Sequence, residues 1–168
     1  MPEEEVIERA RKDEEEGKSP STQAGEFVRE EMHHIREGKH GARSTQQAIA
    51  IGLSKARRAG VDLEPPKKGK ASDEVVSQAE RDIKKGKTSG RTNPSRPRSR
   101  ATSNALKREG QSAASPESLS RHAHNAAEKR SKRSRHQSAM TAVKTKGTRR
   151  LREAGRKAAR SRARRRSA

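Results

Sequence analysis

The scarcity of large apolar residues, and their position, constrains this chain more than any other feature. Its 168 residues include seventeen Leu, Ile, Val and Phe, and eight of these fall between Ala24 and Leu63. Such a content, in a chain with a high net charge, is typical of disorder. Only the stretch from Thr22 to Pro66 has apolar residues at the spacing that a packed unit requires. We therefore expect one small folded segment in a chain that is otherwise extended or only locally helical.

That segment predicts two helices joined by a short basic turn. The first covers about Thr22–Glu37 and the second about Ser44–Ala59, which starts with a capping box formed by Ser44 and Gln47. Gly38 and Gly60 follow the two helices and favour the left-handed conformation that ends a helix. The small core of such a hairpin is marginal alone, and a homodimer formed through the hairpin would cover more of it.

The flanking segments predict the rest of the architecture. Residues 1–20 form an acidic segment with helical propensity, and residues 21–66 contain the hairpin. Residues 67–100 combine a weak helix with a linker rich in Pro, Ser and Gly, and residues 101–168 form a basic tail rich in Ala, Ser and Arg. The predicted fold is mainly α: a small helical hairpin at about residues 22–60 with a long basic, largely disordered or transiently helical C-terminal arm. Basic segments that end in glycine recur and predict short helices on flexible joints, at Gly38, Gly86, Gly110, Gly147 and Gly155.

The charge is large and unevenly placed. The net charge is +20, yet residues 1–37 carry −6 and residues 38–168 carry +26. The last forty residues contain seventeen Lys or Arg and a single acid, Glu153. A block of this kind is typical of an arm that binds a polyanion, although a merely solvated tail is the alternative.

Several classes of protein are excluded or disfavoured by composition. The chain has no cysteine, which excludes disulfides and thiolate metal sites. No apolar run approaches the roughly 18 residues of a membrane span, and the acidic N-terminus lacks the apolar core of a secretory signal. We expect no membrane association and a cytoplasmic location.

Phosphate contact is the chemistry that the basic residues favour. The absence of Trp and Tyr, with a single Phe, disfavours modules that stack bases on aromatic rings. Near the second helix only Gln46 and Gln47 offer base-reading side chains, so readout of sequence is the weaker hypothesis. The candidate nucleic-acid-binding residues of the hairpin are Lys39, Arg43, Lys55, Arg57 and Arg58, and those of the arm are Arg96, Arg98, Arg100, Lys107, Arg108, Arg130, Lys132, Arg133, Arg135, Arg149, Arg150, Arg156, Lys157, Arg160, Arg162, Arg164, Arg165 and Arg166.

Nothing in the sequence identifies an enzyme, a cofactor or a metal site. His33 and His34 are adjacent, and His122 and His124 are two positions apart, so neither pair has the spacing of a helical metal site. The turn GKHGARST contains Gly, Lys, Ser and Thr but not in the order of a nucleotide-binding loop. The sequence therefore predicts no catalytic residue, no cofactor and no metal site.

The stretch GEFVREEMHHIREGKHGARSTQQAIAIGLSKARRAGVDLEPP resembles a group of small basic bacterial proteins. That group shares a core of the type KHGARST-x-QAIAIGLSKARRAG and is loosely labelled DNA-binding or plasmid-stabilisation. The resemblance covers about Ala24–Pro66 and continues more loosely over Ser99–Ala127. It implies a bacterial source and a nucleoid-type role, and it attaches no catalytic residue to the chain.

These observations together predict a non-enzymatic, histone-like protein of the nucleoid that binds DNA largely independently of sequence. RNA or ribosome binding would use the same phosphate contacts and is the first alternative. A protein-interaction module of the antitoxin type is the second, with the acidic segment and the hairpin contacting protein.

Overall fold

The computed structural model describes residues 3–67, 69–88 and 95–166, with side chains as far as residue 164. The described residues form helices and loops and contain no strand, which confirms the mainly α class. The chain divides into an N-terminal unit, Met1–His122, and a C-terminal unit, Ala123–Ala168. The helices are α1 Glu4–Glu15, α2 Pro20–Arg36, α3 Thr45–Arg58, α4 Asp73–Lys87, α5 Arg96–Arg108, α6 Pro116–Glu128 and α7 Lys132–Arg166, with a 3₁₀ turn at Ser112–Ala114.

Helices α2 and α3 are the two helices that the local signals predicted. Gly38 and Gly60 follow them with φ of +73° and +99°, in the left-handed region that glycine adopts without strain. At the start of α3 the Ser44 hydroxyl accepts a hydrogen bond from the backbone N–H of Gln47 at 3.2 Å. The Gln47 side chain reaches back and accepts from the backbone N–H of Arg43 at 2.8 Å. The loop between α2 and α3 is therefore fixed at one end by Gly38 and at the other by Ser44 and Gln47.

Two further helices pack on this pair, so the hairpin is not the whole folded unit. Helix α1 packs against α2, and Val6 and Ala10 are buried beside Phe27. Helix α4 packs against α3 and buries Val76 and Ala79. From the sequence, helical propensity was predicted for residues 1–20 and a weak helix within residues 67–100, and neither was predicted to pack on the hairpin because large apolar side chains are few in both.

Alanine supplies most of the core. Of the thirteen buried hydrophobic residues in the described part of the chain, eight are Ala. A methyl side chain buries little area, but it lets two helix backbones approach closely. Such a core follows helical spacing but contains few Leu, Ile, Val and Phe residues. The length of the folded segment was predicted from the positions of those four residue types, so it was underestimated. The buried alanines are Ala10, Ala24, Ala42, Ala48, Ala56, Ala79, Ala113 and Ala114.

Two glycines serve this close approach and do not end helices. A Cβ at Gly52 of α3 would lie 2.7 Å from the Val28 Cα, and one at Gly86 of α4 would collide with the backbone carbonyl oxygen of Arg57. Gly86 was predicted to end its helix, which is wrong, since α4 continues to Lys87. Because Gly86 has no side chain, α4 can approach α3 closely at this position.

The segment from Leu106 to Ala114 docks on the turn between α2 and α3. The backbone N–H of Gly41 donates to the Leu106 carbonyl at 2.9 Å, and that of Ala42 donates to the Gly110 carbonyl at 3.1 Å. Ala113 and Ala114 are buried in one cluster with Met32, Ile35, Ala42 and Ala48. This part of the predicted disordered arm is thus an integral piece of the N-terminal unit. Side chains from the hairpin complete the docking: Thr45 Oγ1 donates to the Ala113 carbonyl and Arg36 Nε to the Ala114 carbonyl, at 2.7 and 2.9 Å.

Gly41 is expected to be intolerant of substitution because of this docking. A Cβ at Gly41 would collide with the carbonyl oxygen of Glu109, a backbone atom that cannot rotate away. We expect Gly41→Ala to lower the free energy of unfolding by about 1–3 kcal/mol, the usual range for overpacking. Gly25, inside α2, has open space around a Cβ, and Gly25→Ala is the matched control. It should raise stability by about 0.5–1 kcal/mol, because Ala favours helix. Urea unfolding of both variants checks the pair, and equal effects would contradict the docking.

The C-terminal arm is helical, so the prediction that it is largely disordered is wrong. Helix α7 runs over Lys132–Arg166 and is interrupted at Gly147, where φ is 73° and ψ is 153°. Ala, Arg, Lys, Gln and Met have high helix propensity, and they make up most of this stretch. Ser131 caps its start, because its hydroxyl accepts from the backbone N–H of Ser134 at 3.1 Å. Gly155, another predicted stop, lies inside the helix. Across the described residues, no helix has both the length and the apolar character needed to cross a membrane.

Candidate nucleic-acid interface

Lys55, a predicted phosphate contact, points into the N-terminal unit. Its Nζ lies 3.1 Å from Glu30 Oε2 and 2.7 Å from Glu31 Oε2, and both carboxylates are almost fully buried. Burial alone would lower the pKa of Lys55, but the Glu31 and Glu30 carboxylates outweigh it and hold the pKa above its ordinary value. Lys55 is therefore the counter-ion of two buried acids on α2.

Arg58 has a similar internal partner on α4. Its Nε donates to Asp82 Oδ1 at 2.7 Å, while Ser54 and Gln78 donate to the same carboxylate at 2.6 and 3.1 Å. Asp82 is 1% exposed. Burial would raise the pKa of Asp82, but the Ser54 hydroxyl and the Arg58 guanidinium outweigh it and hold the pKa below its ordinary value. This contact joins α3 to α4.

The other predicted hairpin bases differ in their surroundings. Arg57 is buried, and its guanidinium donates to the carbonyl oxygens of Leu63 and Glu64 at 3.2 and 3.3 Å. Burial lowers the pKa of Arg57 from its ordinary value. Lys39 is half-exposed and lies 3.3 Å from Glu3 and 3.2 Å from Glu37. The structure leaves Arg43 exposed. The five bases thus do not form one open cationic face.

The bases of α5 are all exposed, and this helix has no buried residue. It carries no acid, and its sequence RPRSRATSNALKR starts with Pro97 in its first turn. The predicted site residues here lie along a solvated helix of the N-terminal unit, and they are Arg96, Arg98, Arg100, Lys107 and Arg108.

The C-terminal unit holds most of the net charge. Residues 123–168 contain seventeen Lys or Arg and two acids, which gives +15 of the chain's +20. Arg130 precedes α7, is exposed, and donates to the hydroxyls of Ser134 and Ser138 in the first two turns of that helix. The side chains of Arg165 and Arg166 lie outside the described residues. The exposed predicted bases of this unit are Arg130, Lys132, Arg133, Arg135, Arg149, Arg150, Arg156, Lys157, Arg160, Arg162 and Arg164.

Beyond Gly147, four arginines of α7 share one side of the helix, while other bases, such as Arg150 and Arg162, lie elsewhere around it. With 3.6 residues per turn, Arg149, Arg152, Arg156 and Arg160 fall within about 80° of one another around the helix axis. Leu151, Ala154 and Ala158 lie on the other side by the same rule. The one acid of α7, Glu153, is within 3.9 Å of Arg149 and is mostly exposed, so it screens this side weakly. We call this side, defined by the four arginines, the arginine face.

Three further bases of α7, Lys144, Lys146 and Arg152, were not among the residues predicted from the sequence to bind nucleic acid. Lys144 and Lys146 end the first half of the helix, and Arg152 is part of the arginine face. Their positions around the helix axis could have identified them, but only if the arm had been predicted to be helical.

Comparison with known proteins adds one similarity. Residues 19–68 match a family described as a family of unknown function (DUF6496). The match covers α2, the turn, α3 and the loop that follows, and it includes neither α5 nor α7. No curated protein and no solved structure matches the chain.

Proposed function

We propose that this protein binds nucleic acid without an enzymatic step, through phosphate contacts made mainly by α7. The observation that carries the proposal is the +15 charge of residues 123–168, whose basic side chains are exposed throughout the described part of this unit. Duplex DNA is the favoured ligand, which gives a histone-like protein of the nucleoid, and RNA or the ribosome is the alternative. The resemblance of Ala24–Pro66 to proteins labelled DNA-binding supports the same direction.

The composition of α7 beyond Gly147 favours contact with the phosphate backbone over readout of bases. The nineteen residues from 148 to 166 span about 28 Å at 1.5 Å per residue, and an α-helix fits the major groove of B-DNA. The arginine face presents guanidinium groups, which bind phosphate oxygens in pairs. Neither Asn nor Gln, the residues that read adenine, occurs in this half of the helix. Binding should thus depend on charge and little on sequence.

The bases of the N-terminal unit contribute less to this proposal. That unit carries only the remaining +5, and Lys55, Arg57 and Arg58 are held by internal partners. Of its candidate residues, those on α5 and Arg43 are exposed, whereas the half-exposed Lys39 and Arg58 are paired with carboxylates. We therefore assign the N-terminal unit the role of a folded anchor, and the α5 bases supply the control for the test below.

The test compares two full-length variants that lose the same charge. One replaces Arg149, Arg152, Arg156 and Arg160 by Gln, and the other replaces Arg96, Arg98, Arg100 and Lys107 by Gln. Fluorescence anisotropy with duplex DNA and with RNA is recorded from about 50 to 200 mM salt. The slope of log affinity against log salt should become shallower by about 3–4 in the first variant, since each lost phosphate contact removes about 0.9. The second variant should change the slope by less than about one.

Three results would change the assignment. Equal losses in both variants would mean that net charge, and not the arginine face, governs binding. Tighter binding to RNA than to duplex DNA across the salt range would replace DNA by RNA as the ligand. A weak, salt-insensitive signal with both nucleic acids would refute the proposal and leave the protein-interaction alternative.

A further inference from the structure

His34 and His40 meet buried carboxylates at one end of the α2–α3 pair. A ring nitrogen of His34, one of His40 and a carboxylate oxygen of Glu31 lie within 4.8 Å of one another. We propose that these three side chains form a binding site for a divalent transition metal ion of the zinc type. In sequence the ligands read Glu31-x-x-His34 followed by His40 in the turn, a pattern that adjacent-histidine spacing did not predict.

The first argument comes from the two ring nitrogens of His40. Nδ1 lies 3.1 Å from the backbone carbonyl oxygen of Gly41, and Nε2 lies 3.2 Å from Glu31 Oε1. A carbonyl oxygen only accepts, so Nδ1 carries the proton and a neutral ring leaves a lone pair on Nε2. That lone pair would face a carboxylate oxygen. Either a proton, carried by the ring or by the carboxyl group, or a metal ion must therefore lie between them.

A histidine that ligates a metal has this same arrangement. Its non-ligating N–H usually donates to a backbone carbonyl or a carboxylate, which fixes the tautomer and the plane of the ring. The separation of 3.2 Å between Nε2 and Glu31 Oε1 also suits a metal. Two ligands bound to Zn²⁺ at about 2.0–2.1 Å in tetrahedral geometry lie about 3.3 Å apart. The two atoms are already at the distance that the metal requires.

The second argument comes from Glu31. Its side chain is 1% exposed, and neither carboxylate oxygen accepts a hydrogen bond of good geometry within the described part of the chain. Buried polar atoms of this kind are rare in native structures and need a physical reason. Lys55 Nζ lies 2.7 Å from Oε2 and balances charge on that side. Oε1, the oxygen next to His40, is left with unused lone pairs for a metal.

The surroundings favour a cation at this position. Glu3, Glu30 and His34 form a second group whose ligand atoms lie within 4.8 Å of one another, and it shares His34 with the first. Three carboxylates therefore surround the histidines, against the two ammonium groups of Lys55 and Lys39. Imidazole and carboxylate ligands together suit Zn²⁺ better than Mg²⁺ or Ca²⁺, which prefer oxygen alone. Three protein ligands leave the fourth position of a tetrahedral site for water.

The site has a structural consequence because of where His40 lies. It belongs to the turn on which residues 106–114 dock, next to Gly41 and Ala42. An ion shared by α2 and this turn would fix the turn in its docked conformation. Metal binding to the folded state should therefore raise the thermal stability of the protein.

The experiment titrates the full-length, metal-free protein with ZnCl₂ by isothermal titration calorimetry and follows thermal unfolding by circular dichroism. We expect one equivalent of Zn²⁺ to bind and the unfolding midpoint to rise with its concentration. His34→Gln and His40→Gln should each weaken binding by at least about 10–100-fold. His33→Gln is the matched control, since His33 is an exposed neighbour on the same helix, and it should bind Zn²⁺ as the unmodified chain does.

A second measurement keeps the proposal testable if a variant does not fold. Co²⁺ added to the unmodified protein should give the intense visible absorption of a four-coordinate ion, and added Zn²⁺ should remove it. The weak spectrum of aqueous Co²⁺ would overturn the proposal, as would saturable Zn²⁺ binding that His34→Gln and His40→Gln leave unchanged. In either case a proton, and not a metal ion, would join His40 to Glu31. This result is independent of nucleic-acid binding, whose variants lie in other helices.

Discussion

Replacing Lys55 by methionine should lower the free energy of unfolding by about 3–5 kcal/mol at neutral pH. The methionine keeps the length of the side chain but leaves Glu30 and Glu31 buried without their cation. A buried carboxylate that loses its partner retains the desolvation penalty and loses the attraction that offset it. Chemical denaturation followed by circular dichroism measures the loss, and Lys12→Met, at an exposed position of α1, is the control. The control should stay within about 0.5 kcal/mol.

Two further results distinguish this account from simple loss of packing. Adding Glu31→Gln to Lys55→Met should recover part of the stability, because one unpaired buried charge is removed. The pKa of Lys55 is raised above its ordinary 10.5, so its contribution is fully present below pH 10.5 and is lost as the pH rises through the folded value. Lys55→Met should therefore lack this part of the alkaline destabilisation. A loss below about 1 kcal/mol, or no recovery in the double variant, would contradict the role of the ion pair.

Replacing Phe27 by alanine should destabilise the N-terminal unit by about 3–5 kcal/mol. Phe27 is the single aromatic residue of the chain, is 0% exposed and packs in a cluster with Val6, Ala10, Ala24 and Ala56. Three of these four neighbours are alanines, whose methyl groups cannot fill the cavity that the ring leaves. The lost burial and the residual cavity both add to the cost.

Valine 75 supplies the matched control for the Phe27 variant. Val75 lies on α4 and is 50% exposed, so Val75→Ala should change stability by less than about 0.5 kcal/mol. Both are measured by urea unfolding of the full chain. If Phe27→Ala cost no more than Val75→Ala, α1 and α2 would not share the packed cluster described above.

The sequence predicted those parts of the fold that local chemistry decides. Ser44 and Gln47 cap α3, and Gly38 and Gly60 follow helices in the left-handed conformation, as their residue types indicated. The size of the folded unit was underestimated because its core is built largely of alanine. The role of Gly86 was missed for a related reason, since close contact with Arg57 on another helix has no local signature.

The candidate site residues also fall into those that residue type alone predicts and those that depend on tertiary contacts. Residue type identified the exposed bases of α7 as candidates, because a long cationic stretch is visible in composition alone. Lys55 looks like them in sequence, and only the tertiary contact with Glu30 and Glu31 shows that it is internal. Arg152 was missed because its place on the arginine face depends on helical phase. The meeting of His34 with His40 depends on the turn between them, whose conformation the spacing of histidines does not give.

The docking of residues 106–114 on the turn after α2 also has a consequence for the order of folding. Its hydrogen bonds, such as those from Gly41 to Leu106 and from Arg36 to Ala114, join positions that are distant in sequence, whereas α1, α2 and α3 each contact the helix that follows them. Closing so long a loop is entropically unfavourable and slow compared with forming neighbouring contacts. We therefore expect α1 to α4 to pack together first, and residues 106–114 to dock on them in a later step. The same segment is then the natural first step of reversible local opening.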